Sequence, residues 1–325
     1  MLGIEELAEG VIAGSRAMLG RAITLVESNR ADHQERAQEL LGRLLPRTGR
    51  AIRVGVTGVP GVGKSTFLDA FGSFLTAREH RLAVLAIDPS STVSGGSILG
   101  DKTRMERLAT DSRAFIRPSP SGGSLGGVAR KTRETILLCE AAGYDVVFVE
   151  TVGVGQSEIL VAGMVDSVLL LLLPNAGDEL QGIKRGILEL VDVLAVNKAD
   201  GDRIAAARQA CQQYLAALKF VRPSSPNWQP PVMSVSALEA TGLEEIWSAL
   251  EQHRETMQKH GELEPKRREQ KLQWMRSLVE ESILGSFHTA PRVAAAVPDL
   301  ERRVVEGEIT PTRAAQQLVA LVGVG

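Results

Sequence analysis

The sequence has only two cysteines and almost no net charge, and both shortages narrow the possible functions. Cys139 and Cys211 are too few for a disulfide framework or a cluster of thiolate metal ligands. The formal net charge of −2 gives no reason to expect the strong basic field of a nucleic-acid-binding protein. We therefore expect a protein of a reducing compartment that does not bind nucleic acid.

Long apolar runs are also lacking. The densest run, Val168–Leu173, is far shorter than the roughly 20 residues that a membrane span needs. The first 20 residues do not combine a basic stretch with a following apolar stretch, as a secretory leader would. The sequence therefore predicts a soluble, cytoplasmic protein that does not associate with a membrane.

What the sequence does contain is a series of short apolar runs that alternate with segments of helical periodicity. Runs that are continuously apolar are typical of strands covered on both faces. Strands that alternate with helices predict an α/β fold with a doubly wound, mostly parallel sheet, whose ligand lies at the carboxyl ends of the strands. The predicted strands are Ile52–Thr57, Leu82–Asp88, Val146–Glu150, Val168–Leu173, Val191–Asn197 and Val232–Val235.

The remaining sequence is helical in pattern and flanks this α/β region. A chain of 325 residues favours one α/β domain of about 200 residues with helical extensions. We predict a helical segment over residues 1–48, the α/β domain over 49–255 and a helical arm over 256–325. An apolar stripe in the arm either packs on its own domain or forms a dimer contact. The stripe consists of Trp274, Leu278, Val279, Ile283 and Leu284.

A glycine-rich loop follows the first predicted strand and precedes a helix. It fits the pattern G-x-x-x-x-G-K-[ST], which requires this strand and helix context to bind phosphate. The glycines let backbone amides approach a β-phosphate, Lys64 adds positive charge, and Ser65 would bind Mg²⁺ through its hydroxyl. The alternative is a simple turn with a solvated lysine. The predicted nucleotide-binding residues are Gly58, Val59, Pro60, Gly61, Val62, Gly63, Lys64, Ser65 and Thr66.

A second polar element, Asn197-Lys198-Ala199-Asp200, follows a later buried strand. A carboxylate accepts two hydrogen bonds from N1–H and N2–H₂ of guanine, whereas adenine has no such donor pair, so Asp200 would select GTP over ATP. The stem of Lys198 would pack on the ring. Taken alone, the tetrapeptide is equally compatible with a helix-start cap. Three further residues follow the last strand, where a backbone amide would meet the guanine O6: Ser236, Ala237 and Leu238.

A third element, Glu150-Thr151-Val152-Gly153, stands where most GTPases have D-x-x-G. Gly153 can donate its backbone N–H to the γ-phosphate, so this loop can sense whether that group is present. Glu150 is longer than aspartate and would hold Mg²⁺ through a bridging water, which leaves room for Asp88 or Asp101 as a further ligand. Each aspartate has an ordinary alternative role, Asp88 as a turn cap and Asp101 as a helix cap.

No glutamine stands directly after Gly153 to orient the attacking water, as it does in small signalling GTPases. That position is Val154, and Gln156 comes two residues later. Either Asp88 helps to order the water or the site is incomplete without a partner, so we predict a low intrinsic rate. The predicted catalytic residues are Lys64, Asp88, Glu150 and Gly153.

Four segments together resemble the MeaB/ArgK family: Ala86–Ser91, Gly95–Met105, Glu150–Glu158 and Gly177–Gln181. Members of this family are GTPase chaperones of adenosylcobalamin-dependent methylmalonyl-CoA mutase and related acyl-CoA mutases. The resemblance implies a homodimer assembled through the C-terminal arm, with GTP or GDP and Mg²⁺ as ligands. It also implies that GTP binding and hydrolysis gate cofactor loading and protect the mutase.

The family's partner-responsive loop matches Asn175–Lys184. The residues alone indicate only a polar loop that leads into a helix, with Asp178 as its N-cap. The resemblance assigns a partner-responsive role to Gln156, Asp178, Glu179, Gln181 and Lys184.

Two other functions fit the sequence less well. A metal-delivery GTPase is disfavoured because the five histidines are scattered and no Cys-x-x-Cys pair or histidine-rich tract occurs. A structural dimer with a vestigial nucleotide site is disfavoured because the phosphate and base elements are both intact. An older family label, a kinase acting on periplasmic amino-acid-binding proteins, fits less well because the N-K-x-D element argues against ATP.

Overall fold

The computed structural model describes residues 2–87, 105–118, 125–151, 157–174 and 185–322. Within these residues, seven strands form one sheet in which every pair of neighbouring strands is parallel. The strand order is β3-β2-β4-β1-β5-β6-β7. The strands are β1 (Ile52–Gly58), β2 (Leu82–Ile87), β3 (Ala114–Arg117), β4 (Val146–Thr151), β5 (Ser167–Leu172), β6 (Val193–Val196) and β7 (Val232–Ser234). The predicted doubly wound α/β fold is confirmed.

Strand β3 was missed by the sequence analysis. Its four residues alternate between buried and half-buried positions, and it pairs with β2 at the edge of the sheet. A short edge strand of this kind lacks the continuous apolar run that marks the inner strands. The predicted parallel sheet therefore gains one strand beside β2.

Helices cover both faces of the sheet. On one face, α4 and α10 bury Phe67, Phe71, Trp247 and Leu250 against the strands. On the other face, α6 and α9 form a second core that also includes the N-terminal helices. The helices of this part are α4 (Lys64–Thr76), α5 (Glu106–Thr110), α6 (Leu125–Ala141), α7 (Ser157–Ala162), α8 (Arg185–Leu188), α9 (Ile204–Leu218) and α10 (Leu243–Lys259).

The N-terminal segment consists of three helices, α1 (Ile4–Ile12), α2 (Arg16–Glu27) and α3 (Ala31–Leu44), followed by a 3₁₀ turn at Leu45–Arg47. Their apolar residues recur at helical spacing and are buried in the core of the same sheet face. Ser15 caps α2, since its hydroxyl accepts a hydrogen bond from the backbone N–H of Met18.

The chain divides into two compact units, Met1–Gln270 and Lys271–Gly325. Helix α11 (Leu263–Thr289) begins in the first unit, and the second unit also contains α12 (Pro291–Val305) and α13 (Pro311–Ala320), which contact each other. The domain boundaries predicted after residues 48 and 255 stay predictions. Among the described residues, no helix is both long enough and apolar enough to cross a membrane.

Several apolar side chains on the part of α11 beyond Gln270 are exposed. Of the stripe predicted from sequence, Val279, Ile283 and Leu284 are 51%, 61% and 57% exposed, whereas Trp274 and Leu278 are half-buried. Leu272 and Met275 are also exposed. This part of α11 therefore has an apolar surface that the other residues of the second unit do not cover.

Candidate nucleotide site

The predicted site residues that the structure describes lie around the carboxyl ends of β1, β4, β6 and β7. Strand β1 lies at the middle of the sheet between β4 and β5, and β6 follows β5. Glu150 pairs with Val56 in the register of β4 and β1, which brings it beside the loop that follows β1. Asn197 directly follows β6, and its backbone N–H donates to the carbonyl of Leu172 in β5.

Two glycines of the loop between β1 and α4 occupy positions where a larger residue would clash or would strain the backbone. Gly63 has a φ of +91° and immediately precedes Lys64, the first residue of α4. A Cβ on Gly58 would lie 2.5 Å from the carbonyl oxygen of Leu171 in the neighbouring strand. Glycine is therefore needed at Gly58 for close packing and at Gly63 for the left-handed turn into the helix.

Lys64 is buried beneath this loop. Its ammonium donates hydrogen bonds to the carbonyl oxygens of Gly58, at 2.7 Å, and Val59, at 3.3 Å. Burial lowers the pKa of Lys64, and the nearby carboxylates of Glu150 and Glu158 act in the opposite direction. A phosphate at the loop would give this buried cation the anionic partner that two neutral carbonyls do not provide.

Ser65 and Glu150 meet at the other side of the loop. The Ser65 hydroxyl donates to Oε1 of Glu150 at 3.2 Å, and Glu150 is buried. One residue further on, Thr151 donates through its hydroxyl to the hydroxyl of Thr57 at 3.0 Å, which ties the ends of β4 and β1 together. A hydroxyl and a carboxylate at this distance form a pair of hard oxygen donors, the ligand type that Mg²⁺ prefers.

The base element is attached directly to the phosphate loop. Asn197 is fully buried, and its Nδ2 donates to the carbonyl of Val62 at 2.9 Å. The Nζ of Lys198 donates to the carbonyl of Gly61 at 2.8 Å. A Cβ on Gly63 would approach Asn197 Nδ2 to 3.1 Å, so the small residue also makes room for this contact. The phosphate loop and the N-K-x-D element are thus joined directly by hydrogen bonds.

Asp200 is held in place by two side chains. The Ser236 hydroxyl donates to Oδ2 at 2.8 Å, and the guanidinium of Arg203 contacts Oδ1. The hydrogen bond from Ser236 is the main reason that the pKa of Asp200 is lowered, and Arg203 adds to it. Asp200 is therefore a carboxylate at neutral pH, as acceptance of two hydrogen bonds from guanine requires.

The loop after β7 completes the base side. The backbone N–H of Ala237 donates to Oδ1 of Asn197 at 3.4 Å, and the Ser236 hydroxyl also accepts from the N–H of Glu239 at 3.1 Å. Leu238 is 76% exposed. The structure therefore brings Ser236 and Ala237 into contact with the N-K-x-D residues, whereas the Leu238 side chain points into solvent.

Two residues of this site were missed by the sequence analysis. Arg203 contacts Asp200 from three residues further along, and Glu158 of α7 acts electrostatically on Lys64. Asp200 and Arg203 are three positions apart, a spacing at which side chains on a helix contact each other, and this spacing can be seen in the sequence. Glu158 lies within the segment Glu150–Glu158 that resembles the MeaB/ArgK family. Its proximity to Lys64 depends on how α7 packs, which no local pattern reveals.

Several predicted residues are at the periphery or outside the described part. Pro60 and Gly61 are exposed at the tip of the phosphate loop, and Thr66 is exposed in the first turn of α4. The following predicted residues lie outside the described residues: Asp88, Asp101, Gly153, Gln156, Asp178, Glu179, Gln181 and Lys184.

Comparisons with known proteins show which family this chain belongs to. The sequence model of the family described as "Methylmalonyl Co-A mutase-associated GTPase MeaB" matches residues 19–292. A putative GTPase of Caulobacter vibrioides is 56% identical over 322 residues, which cover 99% of this chain and 98% of that one. The mitochondrial methylmalonic aciduria type A homolog of Mus musculus is 48% identical over 97% of this chain and 79% of that protein.

A solved structure described as LAO/AO transport system kinase is similar over almost its whole length. It has a TM-score of 0.80 and 37% sequence identity, with 99% of each chain covered. The family match spans most of the chain, and the relatives cover both the phosphate and the base elements. This chain therefore belongs to the MeaB family of methylmalonyl-CoA mutase-associated GTPases, and it is a GTP hydrolase.

Proposed function

We propose that this GTPase is a chaperone of an adenosylcobalamin-dependent acyl-CoA mutase, either methylmalonyl-CoA mutase or a related enzyme. GTP binding and hydrolysis gate the loading of the cofactor and protect the mutase from inactivation. The observation that carries the proposal is the family match over residues 19–292. The 48% identity to a methylmalonic aciduria type A homolog supports it further.

The nucleotide binds along the loop that connects β1 to α4, with its base at Asp200. The ammonium of Lys64 exchanges its contacts with the carbonyls of Gly58 and Val59 for contacts with phosphate oxygens. Asp200 exchanges its contacts with Ser236 and Arg203 for the N1–H and N2–H₂ groups of guanine. The first exchange gives the ammonium of Lys64 charged phosphate oxygens in place of neutral carbonyls, and the second gives the carboxylate of Asp200 a pair of donors on one edge of the base.

Mg²⁺ fits the oxygen donors at this site. Ser65 would hold it through the hydroxyl that now donates to Glu150, and Glu150 would hold it through water. Asp88 and Asp101 are proposed as further ligands. When bound with GTP, the ion neutralises negative charge on the β- and γ-phosphates.

Hydrolysis adds a water oxygen to the γ-phosphorus and breaks its bond to the β-phosphate oxygen, which leaves GDP, phosphate and a proton. Lys64 offers positive charge to the phosphates, and the backbone N–H of Gly153 is proposed to contact the γ-phosphate. Val154 occupies the position of the water-orienting glutamine. We infer a low intrinsic rate that rises when the mutase binds near Gln156, Asp178, Glu179, Gln181 and Lys184.

The C-terminal unit is proposed to be a homodimer arm. Its support is the apolar surface on α11, where Val279, Ile283 and Leu284 are all more than half exposed. A second copy of the same surface would cover these side chains. The alternative function is that of a metallochaperone-type GTPase for another metalloenzyme. Within the described residues, no group of three or more His, Cys, Asp or Glu side chains is placed to hold a metal ion.

The proposal is tested by measuring GTP hydrolysis with and without a purified apo acyl-CoA mutase, and by following transfer of adenosylcobalamin to that mutase. We expect the mutase to stimulate hydrolysis and a non-hydrolysable GTP analogue to block cofactor transfer. Substitution of Gln181 or Lys184 by alanine should spare intrinsic hydrolysis and reduce the stimulation. The chaperone role is wrong if no acyl-CoA mutase alters the rate of GTP hydrolysis and if adenosylcobalamin transfer is the same with and without bound nucleotide. This outcome would not contradict the GTPase activity.

A further inference from the structure

The carboxylate proposed to read guanine is almost completely covered by protein groups. Only 8% of the Asp200 side chain is exposed, although a base has to reach it from solvent. The hydroxyl of Ser236 donates to its Oδ2 at 2.8 Å, and the guanidinium of Arg203 contacts its Oδ1. Guanine needs both oxygens, because its N1–H and N2–H₂ groups donate as a pair. Access of the base to Asp200 therefore depends on whether these contacts can open.

Of the two covering groups, Arg203 is the one that can move away. Ser236 is fully buried, and its hydroxyl also accepts a hydrogen bond from the backbone N–H of Glu239 at 3.1 Å, which fixes its place in the loop. The side chain of Arg203 is 44% exposed. Within the described part of the chain, its guanidinium bonds to Asp200 alone. Arg203 can therefore swing into solvent at little cost.

The local backbone brings Arg203 back to Asp200. A 3₁₀ turn, Gly201–Arg203, follows Asp200 directly, and the backbone N–H of Arg203 donates to the carbonyl of Asp200 at 3.0 Å. Side chains three positions apart lie on the same side of such a turn, which places the guanidinium over the carboxylate. The ammonium of Lys198 is bound elsewhere, at the carbonyl of Gly61. The ion pair is thus built into the element that reads the base.

The folding of α9 does not explain an arginine at this position. Arg203 is the N-cap residue of α9, and its side chain does not cap the helix. Ser, Thr, Asp and Asn are favoured at this position because they satisfy free backbone amides. A positive charge is unfavourable there, since it faces the positive end of the helix dipole. The role of Arg203 therefore lies in its contact with Asp200.

We propose that Arg203 competes with guanine for Asp200, so that the protein holds GTP and GDP less tightly than Asp200 alone would allow. In the nucleotide-free protein, the guanidinium gives Oδ1 a charged partner and thereby stabilises the empty site. This inference rests on the proposed reading of guanine by Asp200 and does not depend on the identity of the mutase. Because Arg203 is 44% exposed and solvent screens the ion pair, its effect on affinity is several-fold.

The test compares Arg203→Met with Arg222→Met in the full-length protein, without any partner. Methionine removes the guanidinium and keeps a long side chain, and Arg222 is an exposed arginine between α9 and β7 that controls for the lost charge. For Arg203→Met we expect Kd for GDP to fall about twofold to fivefold in a fluorescence titration. Arg222→Met should match the wild type. A Kd that is unchanged or higher in Arg203→Met overturns the proposal, since an arginine that attracted the phosphates or contacted the base would act in that direction.

The dependence on salt identifies the ion pair as the cause. Salt weakens phosphate binding in the wild type and in Arg203→Met alike, so the ratio of their two Kd values isolates the contact with Asp200. This ratio should approach one as potassium chloride is raised from about 50 mM to about 1 M, because the exposed ion pair is screened. A ratio that does not change with salt contradicts the proposed competition.

A double-mutant cycle with Asp200→Ala separates this proposal from the base assignment on which it rests. Asp200→Ala alone should raise Kd for GDP at least about tenfold, and in that background Arg203→Met should have no further effect. If Asp200→Ala leaves Kd unchanged, the base assignment itself is wrong. If Asp200→Ala weakens binding but Arg203→Met does not tighten it in the wild-type background, or tightens it equally without Asp200, only the competition by Arg203 is wrong.

Discussion

The amide Nδ2 of Asn197 donates a hydrogen bond to the carbonyl of Val62, although the two residues are 135 positions apart. The contact joins the base element to the phosphate loop, and Lys198 reinforces it through the carbonyl of Gly61. The distance between the base and phosphate subsites is therefore set by hydrogen bonds within the protein itself. Such preorganisation lowers the ordering cost of binding.

We first predict that Asn197→Ala weakens both folding and nucleotide binding. The variant leaves the buried carbonyl of Val62 without its donor, which costs about 1–3 kcal/mol in the free energy of unfolding. GDP affinity should fall by about tenfold, since 1.4 kcal/mol corresponds to a factor of ten. Chemical denaturation and fluorescence titration with labelled GDP measure the two effects. Asn29→Ala, at an exposed position, is the control and should change neither.

The second prediction concerns Lys64. Replacement by alanine removes the only charge contributed by the phosphate loop, and circular dichroism checks that the variant stays folded, because the carbonyl of Gly58 that loses its donor is buried. We expect the single-turnover rate of GTP hydrolysis to fall by at least about a hundredfold. Lys219→Ala, at an exposed residue after α9, is the matched control. A Lys64→Ala enzyme that retains more than half of the wild-type rate would show that this loop does not hold the phosphates.

The third prediction tests how the base is read. Asp200→Asn replaces a double acceptor with a group that has one acceptor and one donor, which matches the edge of xanthine better than that of guanine. Binding should shift from GTP toward xanthosine triphosphate. The neighbouring Asp202 is exposed, so Asp202→Asn should leave the selectivity unchanged. Competition binding with the two nucleotides measures the shift, and equal selectivity in both variants contradicts the assignment.

The sequence predicted those parts of the protein that depend on local pattern. Continuous apolar runs identified the inner strands, and the spacing of glycines, lysine and serine identified the phosphate loop. Strand β3 was missed because its alternating burial at the sheet edge gives only two bulky apolar residues, Phe115 and Ile116. A local pattern carries no information about residues that meet only after folding.

Several of the contacts that hold the site in place join residues that meet only after folding. Ser236 bonds Asp200 from 36 residues away, and Gln270 bonds Ala162 from 108 residues away. Each pair depends on the order of the strands and on the packing of helices over them. Composition and periodicity predict the elements but not which side chains of distant elements become neighbours.

The fourth prediction is a dependence of stability on pH through Asp166. Burial raises the pKa of this carboxyl, but hydrogen bonds and charge from Arg267 and Arg53 outweigh burial and lower it overall. Because the folded pKa lies below the unfolded value of about 3.9, the stabilisation is present above that pH and is lost as the pH falls through the folded pKa. Asp166→Asn should therefore lower the free energy of unfolding by about 3–5 kcal/mol at pH 7.

The measurement is urea denaturation of the wild type and Asp166→Asn between pH 7 and pH 3. The difference in unfolding free energy between the two proteins should shrink as the pH falls below about 4, because the wild type then loses the same interaction. A difference that stays constant over this range would show that the pKa of Asp166 is the same in the folded and the unfolded protein, which contradicts the lowered folded pKa.

The fifth prediction concerns the apolar surface of α11. A double substitution, Val279→Glu with Ile283→Glu, places two charges where a second copy is proposed to pack. Light scattering after gel filtration should show the mass of one chain for this variant and of two chains for the wild type. Glu251 is an exposed residue of α10 outside the arm, so Glu251→Lys should remain dimeric. A wild-type protein with the mass of one chain contradicts the dimer.

The central claim is that main-chain amides and Lys64 bind a triphosphate while Asp200 selects guanine. Titration calorimetry of the wild-type protein with Mg-GTP and Mg-ATP tests it most directly. We predict a one-to-one complex with GTP and binding of ATP that is at least about a hundredfold weaker, since ATP leaves Asp200 without its donors. Equal affinity for the two nucleotides, or no binding of either, would contradict this account.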